Sequence, residues 1–134
     1  MINILEFIDS LLPQNLLDIY FLELPKGKSG VLIEETGING QIHSFKGFDG
    51  VISSNIQFFA RVAPTDGKYK EIERLLKRFY MVVKDNEGVE QDGVKLLYVD
   101  EFRMTPIMRD EQHNYVFSLT FPITYKESDL NGIK

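Results

Sequence analysis

The stretch Tyr115-Val116-Phe117-Ser118-Leu119-Thr120-Phe121-Pro122-Ile123-Thr124-Tyr125 decides the fold. Large apolar side chains stand at every second position. Tyr115, Phe117, Leu119, Phe121, Ile123 and Tyr125 therefore share one face of an extended chain, and Ser118, Thr120, Pro122 and Thr124 share the other. This is the pattern of a strand with one buried face. Pro122 has no amide to donate, so the end of this strand is expected at a sheet edge.

A buried face needs partners. Ile56, Phe58, Ala60 and Val62 alternate with Gln57, Phe59 and Arg61, which predicts a strand over 51–63. Pro64-Thr65-Asp66-Gly67 follows as a helix start, with Thr65 or Asp66 as N-cap. The helix is expected to run to about Val82, with Tyr69, Ile72, Leu75, Leu76 and Phe79 as its apolar stripe. Glu73 and Lys77 are placed for an i,i+4 pair. Nearer the N-terminus, residues 2–12 read as a short amphipathic helix stopped by Pro13. Ile19–Leu24 and Val31–Glu35 read as a hairpin around Pro25-Lys26-Gly27-Lys28-Ser29-Gly30. Asp85-Asn86-Glu87-Gly88 and Gln91-Asp92-Gly93 are turns, 94–103 is a strand, and Met104–Asn114 is a long turn. The order is α-β-β-β-α-β-β. It predicts an α+β domain over 1–126, with a mostly antiparallel sheet, one long amphipathic helix on its face and a polar tail at 127–134.

Residues 36–50 resist assignment to an element. Gly37, Gly40, Gly47 and Gly50 alternate with Ile38, Ile42, Phe45 and Phe48. This segment either folds back over the core or forms an arm over a neighbouring subunit, because exposed apolar groups mark interfaces.

The chain has 134 residues, a net charge of −5 and no cysteine. Disulfides, thiolate metal sites and cysteine nucleophiles are thereby excluded. An acidic chain is a poor duplex binder. No apolar run reaches the roughly 18 residues of a membrane span, and the first residues lack a basic leader, so a cytoplasmic protein with no membrane partner is expected. Lys26-Gly27-Lys28-Ser29 resembles the end of a phosphate loop, but Leu22 stands where the motif needs glycine, and a strand follows instead of a helix. His43 and His113 lie in separate loops; Asp110, Glu111 and His113 read as a solvated turn rather than a cation site. The adjacent carboxylates Glu34-Glu35 and Asp100-Glu101 are expected to point to opposite strand faces, so they form no acid–base couple within one strand, although one member could pair with a residue elsewhere. The expectation is no enzyme, no cofactor and no metal.

Charge is unevenly distributed. Lys68, Lys70, Arg74, Lys77 and Arg78 on the long helix face only Glu71 and Glu73. Asp85, Glu87, Glu90 and Asp92 follow immediately. The basic residues suit a solvated face near the negative helix end. They also suit a head-to-tail assembly in which basic face and acidic edge meet across each interface.

These features together resemble the minor capsid or tail-terminator proteins of long-tailed bacteriophages and prophages of Gram-positive hosts. The resemblance rests on the N-terminal helix, the pair Ile19–Glu35 and Asn55-Ile56-Gln57-Phe58-Phe59-Ala60-Arg61-Val62 leading into Tyr69–Tyr80. It extends through Tyr98-Val99-Asp100-Glu101-Phe102 and the closing strand. It implies a structural protein that assembles with itself into a ring, a hexamer, at the head–tail junction. Such a ring stops tail-tube polymerisation, meets tail-tube and head-completion proteins, and passes DNA through its centre without sequence-specific binding. The alternatives are a head-closure or minor capsid component at the same junction, or a small monomeric ligand-binding α+β domain. Interface contacts are expected at Ile38, Ile42, Phe45 and Phe48, at Arg74, Lys77 and Arg78, and at Asp85, Glu87, Glu90 and Asp92, on the physical argument alone. Phe45→Asp and Phe48→Asp are expected to leave the monomer folded and to block assembly. Circular dichroism and light scattering check this, and unfolding of both variants would place the two rings in the core.

Overall fold

The alternating stretch at 115–125 becomes the spine of the molecule. The computed structural model describes residues 3–12, 19–21, 23–25, 28–37, 51–64 and 69–127. In chain order the elements are α1 (Ile4–Leu11), β1 (Ile19–Tyr20), β2 (Gly30–Thr36), β3 (Val51–Val62), α2 (Tyr69–Asp85), β4 (Glu90–Gln91), β5 (Val94–Val99), β6 (Arg103–Met104), β7 (Met108–Arg109) and β8 (Tyr115–Glu127). They form an α+β fold with one mostly antiparallel sheet. Its order is β1-β2-β3-β8-β5-β4, and β6 and β7 also pair with β8. One edge of β8 lies along all of β3, from Val51 opposite Lys126 to Val62 opposite Tyr115. Its other edge is covered in pieces, by β7, β6 and β5.

Alternation dictates which face is buried. Phe117, Leu119, Phe121, Ile123 and Tyr125 of β8 join Ile52, Ile56, Phe58, Ala60 and Val62 of β3 in the core. Onto that face α2 lays Ile72, Leu76, Phe79, Tyr80 and Val83, and α1 lays Ile4, Phe7 and Ile8. Phe58 sits at the centre, 5.7 Å from Phe79 edge-on and 5.6 Å from Phe121 between ring centroids. Asn3 caps α1 in a capping box with Glu6. Leu12, ahead of Pro13, is extended (φ −78°, ψ 139°), as the residue before a proline should be. Pro13 itself and the expected caps Thr65 and Asp66 lie outside the described residues.

Several elements differ from the sequence expectation. The pair Ile19–Leu24 and Val31–Glu35 is not a hairpin. Ile19 and Tyr20 run parallel to Val31 and Leu32. The segment ahead of β2 is fastened to the end of β3: the Arg61 guanidinium donates to the Lys28 carbonyl (3.0 Å) and the Pro25 carbonyl, and the Ala63 amide donates to Ser29 Oγ (2.9 Å). The chain therefore enters β2 from the Arg61 end. Met104–Asn114 is not a simple turn, because β6 and β7 within it pair with β8. The strand expected over 94–103 is broken after Val99. The hairpin partner β4 was not anticipated. Glu127, expected in the tail, is the last residue of β8.

Pro122 lies in a central strand, opposite Asn55 of β3, and not at a sheet edge. In an antiparallel strand the carbonyl and amide of one residue point to the same side. The Pro122 carbonyl accepts from the Asp100 amide (2.9 Å), so its missing N–H faces the break between β5 and β6. The proline is accommodated at an interruption inside the sheet.

Phe58 and Phe59 are neighbours on opposite faces, fully buried and half-exposed respectively. Phe58→Ala is expected to lower unfolding stability by about 3–5 kcal/mol, and Phe59→Ala by about 1 kcal/mol or less, measured by chemical denaturation.

Candidate functional site

Three surfaces carry unpaired polar chemistry. The first is the outer ridge of α2. At 100° per residue, Arg74, Met81 and Asp85 point directly away from the buried Ile72, Phe79 and Val83. Lys70, Arg74, Lys77 and Arg78 are exposed on this ridge, and none enters an ion pair among the described residues. Met81 stands among them at 51% exposure. The expected Glu73–Lys77 pair is not formed; the ion pair of this helix is Lys84–Glu87 at 3.2 Å. Lys68 lies outside the described residues.

The second surface begins where α2 ends. Asp85, Glu90 and Asp92 are exposed, but Glu87 is not available to a partner. Its carboxylate accepts from the Val99 amide at 2.6 Å and from Lys84 Nζ. Lys84 Nζ also donates to the Val99 carbonyl (2.7 Å) and lies 5.2 Å from the centre of the Tyr98 ring. This clamp fixes the end of α2 to β5. The Val99 hydrogen bond, reinforced by Lys84 against the opposing effect of desolvation, holds the Glu87 carboxyl below its ordinary range. The hydrogen bond to Glu87 raises Lys84. Beyond the clamp, β4 and β5 form a hairpin turning on Asp92 (φ 49°) and Gly93 (φ 91°). Both residues at positive φ make a type I′ turn, which Asp-Gly favours. Its narrow tip presents Glu90 and Asp92.

The third surface, on the open face of the sheet, was not anticipated. Ser53, Asn55, Gln57 and Phe59 of β3 are half-exposed there, beside Thr120, Pro122 and Thr124 of β8. A bulge at Leu97 shifts the β5–β8 register between Leu96 and Tyr98, and Leu97 and Tyr98 are both exposed. After Val99 the chain dips toward the helices. Tyr80 draws it down, donating from its hydroxyl to the Asp100 carbonyl (2.7 Å) and packing on Phe102 (4.8 Å). The chain returns at Arg103, opposite Thr120. The dip leaves a groove of about 480 Å³ lined by Asn55, Arg103, Met104, Thr105, Pro106, Thr120 and Pro122. A smaller hollow of about 190 Å³, sharing Asn55 and Pro122, continues it to Tyr98 and Asp100. Arg103 is exposed, and its guanidinium has no ion-pair or hydrogen-bond partner among the described residues. Pro122 in the middle of a strong strand was the sequence signal for this break.

Other candidate chemistry is occupied. Glu34 and Glu35 do face opposite ways, across from Gln57 and Ile56. Glu35 accepts from Ser54 Oγ (2.8 Å) and from the Tyr125 hydroxyl. Burial, then the Glu35 carboxylate, pushes the Tyr125 hydroxyl far above its ordinary value. Asp110 organises its own loop, accepting from the Gln112 and Asn114 amides (2.9 Å each) and from Asn114 Nδ2 (3.1 Å). Desolvation would raise its carboxyl, but these bonds and the Arg61 charge outweigh it and hold the group low. Among the described residues no group of three acidic or histidine side chains is placed to hold a metal ion. Ile38, Ile42, His43, Phe45 and Phe48 lie outside the described residues. No described helix is long and apolar enough to cross a membrane.

No protein-family model matches the chain, and no curated protein matches it.

The Glu87 clamp has a defined pH window. A depressed carboxyl contributes stability above the ordinary glutamate value of roughly 4.3 and loses it as pH falls through the lower folded value. Glu87→Gln should therefore lower Tm at neutral pH, and the gap to the parent should close as pH drops below about 4. Thermal melts between pH 7 and 3 check this; a constant gap would exclude the ionic contribution.

Proposed function

We propose that this protein is a structural assembly protein of a phage or prophage, a ring-forming tail terminator at the head–tail junction. The observation that supports this reading most directly is the separation of unpaired charge on one small domain. Basic side chains stand on the α2 ridge and acidic ones on the β4–β5 hairpin, without partners in the chain among the described residues. Two unlike surfaces of opposite sign favour heterologous contacts, which close into rings when the rotation per subunit allows. The net charge of −5 suits a lumen through which DNA slides, since like charge lowers attraction.

The reading of a small monomeric ligand-binding domain fits less well. Small-molecule sites enclose most of their ligand in predominantly apolar walls. The groove on the sheet face is open, with Asn55, Arg103, Thr105 and Thr120 among its lining. Head closure remains the alternative role at the same junction.

Deletion of the gene separates these roles. A terminator predicts overlong, headless tails in electron micrographs of the deletion strain. Normal tails with unstable heads would assign head closure, and normal virions would overturn both. In the purified protein, Glu90→Lys with Asp92→Asn is expected to weaken self-association by about 30-fold or more, since one acidic charge is reversed and the other removed at each interface. Light scattering over a concentration series reads the shift.

A further inference from the structure

We propose that the groove on the open sheet face receives the acidic β4–β5 hairpin tip of a second copy, with Arg103 as the anchor. This inference rests on the reading of the chain as a self-assembling protein and names the two surfaces that meet. The α2 ridge is the other basic candidate, and shape and the neighbouring neutral donors separate the two. The ridge is convex and bathed in solvent, so ion pairs formed on it are worth little. The groove is concave. Its lining brings Arg103, Asn55 and Thr120 together, with Pro106 and Pro122 beside them. None of those three polar side chains has a hydrogen-bond partner among the described residues. A carboxylate entering this groove would meet a planar charged donor and neutral donors together, which the ridge does not offer.

The hairpin supplies a tip of matching form. Its turn is only two residues, Asp92 and Gly93, and Glu90 and Asp92 are exposed on it. Hairpin and groove lie on different parts of one subunit, on the β4 edge and over β3, β8 and β6, so the contact is heterologous and each copy uses both surfaces once. The α2 ridge then acts at long range, steering acidic tips toward the assembly without docking them.

A charge-exchange experiment tests the pairing. Arg103→Glu and Glu90→Arg should each raise the concentration needed for self-association by about 30-fold or more. The double variant carrying both substitutions should return it to near the parent value. Both positions are exposed, but Glu90 stands opposite Lys95 in the hairpin, so Glu90→Arg adds a like-charge pair there; far-UV circular dichroism and Tm recognise a folding defect directly, and Glu90→Gln should raise the concentration needed for association without that pair. Lys77→Glu with Arg78→Glu should slow association at low salt and leave the final oligomer intact. If Arg103→Glu assembles like the parent while Lys77→Glu with Arg78→Glu does not, the hairpin docks on α2 and this inference is overturned, with the assembly reading untouched. Failure of the double variant to recover overturns the pairing of Arg103 with Glu90. A parent chain that stays monomeric at every concentration also overturns it, and the deletion phenotype then decides the assembly reading separately.

Discussion

The pairing of β3 with β8 is the constraint on which the rest of the structure depends. These are the two longest strands, and their register is unbroken from Val51–Lys126 to Val62–Tyr115. Because side chains alternate, this single register places Phe58, Phe121, Ile56 and Leu119 on one face together. A slip by one residue would turn that whole set toward solvent. The aromatic contacts of Phe58 with Phe79 and Phe121, and of Tyr80 with Phe121, then fix where α2 lies. α2 in turn carries Lys84 and Tyr80, which hold Val99 and Asp100 in place. Order thus propagates from an alternating ladder, through ring packing, to the loop that shapes the open face.

That loop exists because the second edge of β8 cannot be covered continuously. Pro122 offers no amide at its centre, and the neighbouring strand leaves after Val99 and resumes at Arg103. The bulge at Leu97 adds twist before the break. Tyr80 satisfies the Asp100 carbonyl from below, so the departure leaves no buried acceptor without a donor at that point. The groove is therefore a consequence of one missing hydrogen-bond donor in a strand whose side chains are otherwise well suited to a sheet. It is flanked by side chains that the core has no use for: Asn55 and Thr120 on the polar side of their strands, and Arg103 on the strand that resumes pairing.

The parts of the fold governed by periodicity were legible in the sequence. The alternation at 115–125 and 56–62 named the buried residues of β8 and β3, and the stripe Ile72, Leu76 and Phe79 named the inner face of α2. What periodicity could not show was pairing. Val31–Glu35 read as a strand, yet the direction of its neighbour was set by Arg61 and Ser29 reaching the carbonyls and amide of another segment, a long-range arrangement with no local signature. Asp92-Gly93 carried the strongest short hairpin signal in the chain, but Glu90-Gln91 before it is exposed, polar and two residues long, so no hydrophobic pattern marked it as a strand. Charge was legible as composition and less so as availability. Asp85, Glu90 and Asp92 remain exposed as expected, whereas Glu87 is taken up by the Val99 amide and Lys84. Arg103 went unnoticed because a single arginine has no pattern. Its significance arises only when the break at Pro122 sets Asn55 and Thr120 beside it.

The distinction between Glu87 and its acidic neighbours separates carboxylates that hold the fold from carboxylates open to a partner. A carboxylate that already accepts a backbone amide and an ammonium gains little from a new partner, because it would exchange existing bonds for similar ones. Among the described residues Asp92 and Glu90 have no such bonds, and they sit at a hairpin whose turn geometry is fixed by Asp92 and Gly93. Their approach to a cation therefore requires little ordering, which is where much of the cost of association arises. The same argument applies to Arg103, whose strand is held by its pairing with Thr120 while its guanidinium has no partner among the described residues. Fixed backbone beneath side chains that have no partner among the described residues lowers the ordering cost of a charged contact, and the hairpin and the groove share that feature.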